Sequence, residues 1–289
     1  MRRFVVACFL AMALPGCDIA EGLATDRSPP SPAMWELVSP EGDRAWLLGS
    51  LHSMESGTTW RTGVFDAAFE QSGALVLEVA ELAQPLKLAN AFETLSVTPG
   101  QGTVSSRVDA GDRARVLAAV EETGYEDSSF NALETWAVAL TLSSRLSETG
   151  VGVDRQLLED RGNRPLYGLE TAMDQYGAFD RLERQDQSAL LVAIVDEADR
   201  PEQRSVRAEA WRKGDLEFLE AETHRGMLAD PDVRRALIVD RNLAWLDDVA
   251  FIVARGERPL IAVGTGHVVG EEGLPALLAA RGWTVRRIQ

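Results

Sequence analysis

Two short apolar stretches, one near each end of the chain, finish in the same four-residue pattern. "AWLLGSLHSM" (Ala45–Met54) carries Gly49 and His52, and "AVGTGHVVG" (Ala262–Gly270) carries Gly264 and His267. Each reads as a buried strand that stops at a glycine and delivers a histidine into the loop beyond. Glycine admits the positive-φ turn by which a chain leaves a sheet edge sharply. In open α/β sheets, the edge at the carboxyl ends of the strands is where ligands bind. If the two strands are neighbours, His52 and His267 face one crevice, although the segments are more than two hundred residues apart. The chain has three histidines in its 289 residues, so two of them fall in this one repeated pattern.

The surrounding sequence supports the strand reading. "MWELVSPEGDRAWLLGS" predicts two strands around the turn "SPEGD". "GVFDAAFEQSG" follows as a helix closed by Gly73, and "ALVLEVA" is a continuous apolar run of the kind that forms a buried parallel strand. At the other end, "RPLIAVGTGHVVG", "EGLPALLAARG" and "WTVRRI" predict strand, loop, helix and strand. Between them the periodicity is helical. Helices are expected over Asp112–Gly124, over Ala132–Leu146, and in "GVDRQLLED", which a turn joins to the short strand "PLYGL". Further helices are expected over Asp180–Ala198, over Pro201–Glu222, and from Asp230 to a stop at Gly256. The seven tryptophans are expected in the core, mostly at helix-face spacing. The fold class is therefore α/β: a central mixed sheet built from N- and C-terminal β-loop-α-β units, with a large helical middle.

Glu78, inside "LVLEVAE", is the third chemical candidate. A lone carboxylate in an apolar strand is costly unless it is paired, hydrogen-bonded or metal-bound. It meets either a buried arginine or a metal. Two histidines and a carboxylate make a competent set for a divalent metal, with positions left for water and substrate. On that reading His52, Glu78 and His267 are ligands, with Glu78 alternatively a general base. His224, in "AETHRGM", follows no strand and lies among charges, so it reads as a solvated helix-end residue.

Several classes drop out. The net charge is −16 and no basic stripe exists, which excludes nucleic acid as the expected partner. "GTGHVVGEEG" lacks both the phosphate-loop lysine and the dinucleotide-binding spacing. No G-x-S-x-G elbow is present, which argues against a serine hydrolase.

The first 17 residues, "MRRFVVACFLAMALPGC", carry two arginines, an apolar run too short to span a bilayer, and a final "LPGC" that resembles a lipobox. Export, with lipidation at Cys17 and attachment to the periplasmic face of a bacterial membrane, is the expectation. Loss of this leader leaves no cysteine beyond Cys17, so neither a disulfide nor a thiolate nucleophile. Residues 18–33, rich in Pro and Ser, read as a flexible tether, and residues 34–289 as one domain.

The motifs "WLLGSLHSM", "LVLEVAE", "GVDRQLLEDRGNRPLYGLET", "VDRNLAWLDDVAFIV" and "IAVGTGHVVGEEGLPALLAARGWTV", in this order, resemble the TraB/PrgY/GumN family, which includes the animal Tiki proteins. That resemblance implies a ChaN/erythromycin-esterase-like fold and maps the family's two G-x-x-H histidines and its glutamate onto His52, His267 and Glu78. It adds Arg241, in "DRN", which would bind a carboxylate or oxyanion or pair with Glu78 or Asp154. It also points to Asp154, in "GVD", as the orienter of a histidine or as a helix cap. The Tiki branch implies a manganese- or cobalt-dependent protease; other branches are linked to inhibition of a peptide pheromone or to polysaccharide gene clusters. The expectation is a metal-dependent envelope hydrolase, a peptidase with Glu78, His52, His267 and Arg241 as its working residues. The alternative is a non-catalytic protein that sequesters a peptide in the same crevice.

Overall fold

The structure, a computed structural model, describes residues 28–55, 57–146 and 150–289, so the leader, Cys17 and most of the tether lie outside the described residues. The chain opens with a hairpin, β1 (Met34–Val38) and β2 (Arg44–Ser50), followed by α1 (Gly63–Gln71) and β3 (Ala74–Val79). Six helices and one strand make the middle: α2 (Pro85–Ser96), α3 (Arg113–Glu122), α4 (Thr135–Leu146), α5 (Val153–Asp160), β4 (Leu166–Glu170), α6 (Ala172–Asp180) and α7 (Arg184–Ala198). Then come α8 (Pro201–Lys213), α9 (Leu216–Glu222), α10 (Pro231–Arg234) and α11 (Asp240–Val253), and the closing unit of β5 (Pro259–Gly264), α12 (Leu274–Ala280) and β6 (Thr284–Arg287).

The six strands form one mixed sheet in the order β4-β3-β5-β2-β1-β6. β4, β3, β5 and β2 run parallel, and β1 is antiparallel to both β2 and β6. The two ends of the chain thus interleave, as the sequence predicts. β5 lies between β3 and β2, with Ser50 opposite Gly264 and Leu77 opposite Ala262. All six residues of β3 and of β5 are buried, which is why both read as unbroken apolar runs.

Two large hydrophobic clusters and a small one around Val79, Ala91 and Ala172 stabilise the described residues. One surrounds the sheet and includes Phe65, Leu77, Trp211, Trp245 and Val263. The other belongs to the helical middle and is centred on Trp136, Leu142, Leu190 and Leu237. All seven tryptophans are buried, but only Trp136, Trp211 and Trp245 lie on helices; the others belong to β1, β2 and two loops.

Several predicted boundaries shift. Ser31–Ala33 belong to the folded body, not to a free tether: the Ser31 amide donates to the Arg212 carbonyl at 2.7 Å, and Ala33 is buried. The helix expected over Pro201–Glu222 is two. Gly214, in the left-handed region at φ +66, ends α8, and the Asp215 carboxylate accepts from the Phe218 amide to start α9. The stretch expected as one helix over Asp180–Ala198 begins at Arg184, because Asp180 ends α6, which opens with a Thr171–Asp174 capping box. The helix expected from Asp230 is interrupted by a π-helical turn over Arg235–Val239, two residues before Arg241.

Candidate active site

The parallel strands end along one edge, and each contributes a polar group there. β2 ends at Ser50, two residues before His52; β3 carries Glu78; β4 ends at Glu170; β5 ends at Gly264, three residues before His267. His52 Nε2 and His267 Nε2 each lie 3.9 Å from the same oxygen, Glu78 Oε1. The predicted crevice is therefore formed.

The glycines act differently from the expectation. Neither Gly49 nor Gly264 has a positive φ; Gly264 is at φ −51. They are required by close approach. A Cβ on Gly264 would lie 3.0 Å from His52 Nε2 and 3.2 Å from Glu78 Oε1. A Cβ on Gly49 would lie 2.9 Å from Val268 Cγ2. The strand ends thus need glycine because side chains and neighbouring turns fill the space above them. The Thr265 hydroxyl donates to the Ser50 carbonyl at 2.8 Å and ties one motif to the other.

The "GVD" segment fixes His52. The Val153 amide donates to the Leu51 carbonyl at 2.8 Å, an approach that a Cβ on Gly152 would block at 2.1 Å from the His52 carbonyl oxygen. Asp154 Oδ2 is 2.9 Å from His52 Nδ1, and Asp154 Oδ1 accepts from the Ser50 hydroxyl at 2.8 Å. Asp154 therefore orients the ring and leaves Nε2 facing the crevice; it makes no helix-capping bond. Desolvation works to lower the His52 pKa, but the Asp154 hydrogen bond and the charges of Asp154 and Glu78 outweigh it and raise it to about 9. With the side chain 67% exposed, the carboxylates rather than burial set its charge.

Glu78 is buried and fully engaged. Its Oε1 accepts the Gly264 amide at 2.6 Å, and its Oε2 accepts from Arg241 Nη2 at 2.6 Å and Gln175 Nε2 at 3.2 Å. Burial opposes its charge, yet the cationic partners and the amide hold its carboxyl well below the usual carboxylate range. His267 is neutral: desolvation, helped by Arg241 and His52, pushes its pKa down to about 3. Its Nδ1 is 2.7 Å from Asn242 Oδ1, which fixes the ring. The lasting counter-charge of Glu78 is therefore Arg241 rather than His267.

Arg241 pairs with Glu78 and Glu170, not with Asp154. It donates to Glu170 Oε1 at 2.6 Å from Nη2 and at 3.1 Å from Nε, and its Nη1 donates to the Leu237 carbonyl at 2.9 Å. The π-helical turn includes that carbonyl. The guanidinium lies over Trp245 at 4.7 Å from the ring centre, and the other neighbour of that ring is His267 at 4.5 Å. Trp245 Nε1 donates to Glu170.

The predicted metal set is brought together, but it does not fit a divalent ion. Among the described residues, no group of three or more His, Cys, Asp or Glu side chains is placed to hold a metal. The reason lies in the donors. Glu78 already accepts an amide and a guanidinium, and Arg241 Nη1 stands 3.2 Å from His267 Nε2, where a dication would be repelled. Glu78 and His267 thus contact Arg241, while His52, 3.9 Å from Glu78, is hydrogen-bonded to Asp154. The arginine that was one alternative for Glu78 is the partner it has.

Glu170, Asn242, Gln175 and Trp245 were not singled out from the sequence. Glu170 had a readable signal, since it directly follows the predicted strand "PLYGL", as Glu78 nearly ends its own. Asn242 follows Arg241 directly and is fully buried. Gln175 lies on α6, which was not predicted. His224 is exposed, as predicted, yet it lines the same cavity as His52 and His267. That cavity has a volume of about 1860 Å³ and extends from the sheet edge into the helical middle.

The fold and the crevice together define an α/β protein whose ligand edge carries two strand-end histidines around a buried carboxylate–guanidinium pair. The chain belongs to the TraB/PrgY/gumN family, whose model matches residues 33–287. No curated protein and no solved structure matches the chain significantly.

Proposed function

We propose that the protein is a hydrolase of the cell envelope that cleaves peptides by acid–base catalysis at His52. The observation that carries this is the Asp154–His52 pair at the mouth of the cavity, with Nδ1 engaged and Nε2 free toward the crevice. It is the base half of the arrangement that activates nucleophiles in acyl transfer. The neutral form of His52 takes a proton from water as the water oxygen adds to the peptide carbonyl carbon. The resulting imidazolium, stabilised by Asp154 and Glu78, returns the proton to the leaving nitrogen as the C–N bond breaks. Glu78 and His267, locked by Arg241 and Asn242, shape the wall against which the substrate rests. The leader and Cys17 support export and lipid attachment, and the family assignment supports a shared site.

The test is incubation of the purified protein with a peptide mixture, read by mass spectrometry, with chelator and separately with Mn²⁺, Co²⁺ or Zn²⁺. Cleavage that survives chelation and is lost in His52→Ala is the expected result. Cleavage only with added metal overturns the acid–base route, and tight binding without cleavage under every condition favours the sequestering role. In cells, Cys17→Ser should release the protein from the membrane fraction.

A further inference from the structure

Addition of water to a carbonyl turns its oxygen into an oxyanion, and the reaction needs a hydrogen-bond donor where that charge develops. The family resemblance suggests Arg241, but none of its five N–H groups is left over. Nε donates to Glu170, Nη1 to the Leu237 carbonyl and to His267 Nε2, and Nη2 to Glu78 and Glu170. The side-chain donors beside it are engaged as well. Asn242 Nδ2 donates to the carbonyls of His267 and Glu272, Trp245 Nε1 to Glu170, and the Thr265 hydroxyl to the Ser50 carbonyl.

Gln175 is the exception. Its Nε2 donates to Glu78 Oε2 at 3.2 Å, and its side chain makes no second hydrogen bond among the described residues. A carboxylate only accepts, so the amide turns its nitrogen to Glu78 and keeps one N–H unspent. Gln175 lines the cavity that also holds His52. Its place is fixed by the chain. β4 ends at Glu170, the Thr171–Asp174 capping box starts α6 there, and Gln175 follows on the first turn. Glu78 therefore has His52 Nε2 at 3.9 Å from one oxygen and Gln175 Nε2 at 3.2 Å from the other. A base on one flank and an uncommitted donor on the other is the pairing that carbonyl addition requires.

We propose that Gln175 is a catalytic residue of the hydrolysis, whose free N–H donates to the oxyanion of the tetrahedral intermediate. The inference rests on the hydrolase reading above and adds a group to it. As the water oxygen bonds to the carbonyl carbon, the π pair moves onto the carbonyl oxygen and the water proton goes to His52 Nε2. The Gln175 N–H holds that oxygen until the pair returns. The C–N bond then breaks and His52 gives its proton to the leaving nitrogen. Glu78 keeps the amide turned nitrogen-inward, with its own charge balanced by Arg241.

Gln175→Met keeps the length of the side chain and removes the donor. It is compared with the wild type, chelator present, on two probes. One is the most rapidly cleaved peptide of the mixture used to test the hydrolase reading. The other is the phosphinate analogue of that peptide, in which PO₂⁻–CH₂ replaces the scissile amide and mimics the oxyanion. Loss of the donor should lower kcat about 10²-fold and leave KM within about threefold. The phosphinate should bind about 10²-fold more weakly, which is about 2.7 kcal/mol. The uncleaved peptide, measured in a His52→Ala background, should bind equally with and without Gln175. A side chain that only supports Glu78 would weaken both ligands alike when removed, and that result overturns the proposal, as does an unchanged kcat. Gln175→Leu takes over if the thermal midpoint shows that Gln175→Met does not fold. If the wild type cleaves no peptide, the hydrolase reading fails and this role falls with it. Cleavage by the wild type and by Gln175→Met at the same rate refutes the role of Gln175 alone.

Discussion

At the residue scale, His52 and Gly264 depend on each other. The imidazole comes so close to the β5 turn that a methyl at Gly264 would press on both His52 and Glu78. Gly264→Ala should therefore displace His52 and Glu78 together, abolishing activity at a stability cost of about 1–3 kcal/mol, measured by urea denaturation. Gly49→Ala carries a similar stability cost through Val268 and should leave the chemistry largely intact. The charge of His52 sets the pH response. Its pKa is raised from the ordinary 6.5 to about 9, so the basic form grows as pH rises and turnover should climb and level above about pH 9. Asp154→Asn removes the main cause of the rise. The midpoint should then move down toward the ordinary value, and the rate on the plateau should fall by about 10²-fold or more. The same shift bears on stability. A group with a raised folded pKa stabilises fully below its unfolded value, and that contribution is lost as pH rises through about 9. His267, held neutral with a pKa near 3, works the other way: its contribution erodes as pH falls below 6.5.

At the scale of elements, the π-helical turn and β4 serve one side chain. The turn presents the Leu237 carbonyl to Arg241, and β4 ends on the carboxylate that takes the other side of the guanidinium. Arg241 neutralises two buried carboxylates at once. Arg241→Ala should cost about 3–5 kcal/mol, because Glu78 and Glu170 are left without their cation; the loss is read from the urea midpoint. This is also where the sequence was least legible. The buried parallel strands, the two histidines and Glu78 could be read because continuous apolar runs and strand-end positions leave a local pattern. The break at Gly214 had its glycine in view, but the helical periodicity continues on both sides and hid it. The π-helical turn leaves no such trace, since one extra residue per turn barely changes the apolar spacing. Gly264 was visible as a residue, but its reason was not: a clash between segments distant in sequence exists only in three dimensions. Residue types likewise reveal possible ligands and not their neighbours: Arg241 beside Glu78 and His267 exists only in three dimensions.

At the scale of the whole molecule, the site lies between two hydrophobic clusters, one around the sheet and one in the helical middle. His52, Glu78, Glu170 and His267 belong to the first through their strands, while most of α7 belongs to the second. Leu142→Ala, in the helical cluster, should destabilise by about 2–5 kcal/mol. Hydrogen exchange should show the amides of α4 and α7 opening before those of β3 and β5.

The pairing of β1 with β6 has a consequence for the timing of synthesis. Glu36 faces Arg286 across the sheet, and the Gln289 amide reaches back to the Met34 carbonyl. The C-terminal strand β6 is therefore a neighbour of the N-terminal β1, and β5 lies between strands far from it in sequence. Such a chain has few stopping points on the way to its native state, and contacts so distant in sequence form slowly. A ribosome-bound fragment that lacks its final thirty or so residues has neither His267 nor the strand that brings Glu78 beside His52. The site is thus incomplete until the C-terminal unit has joined the sheet.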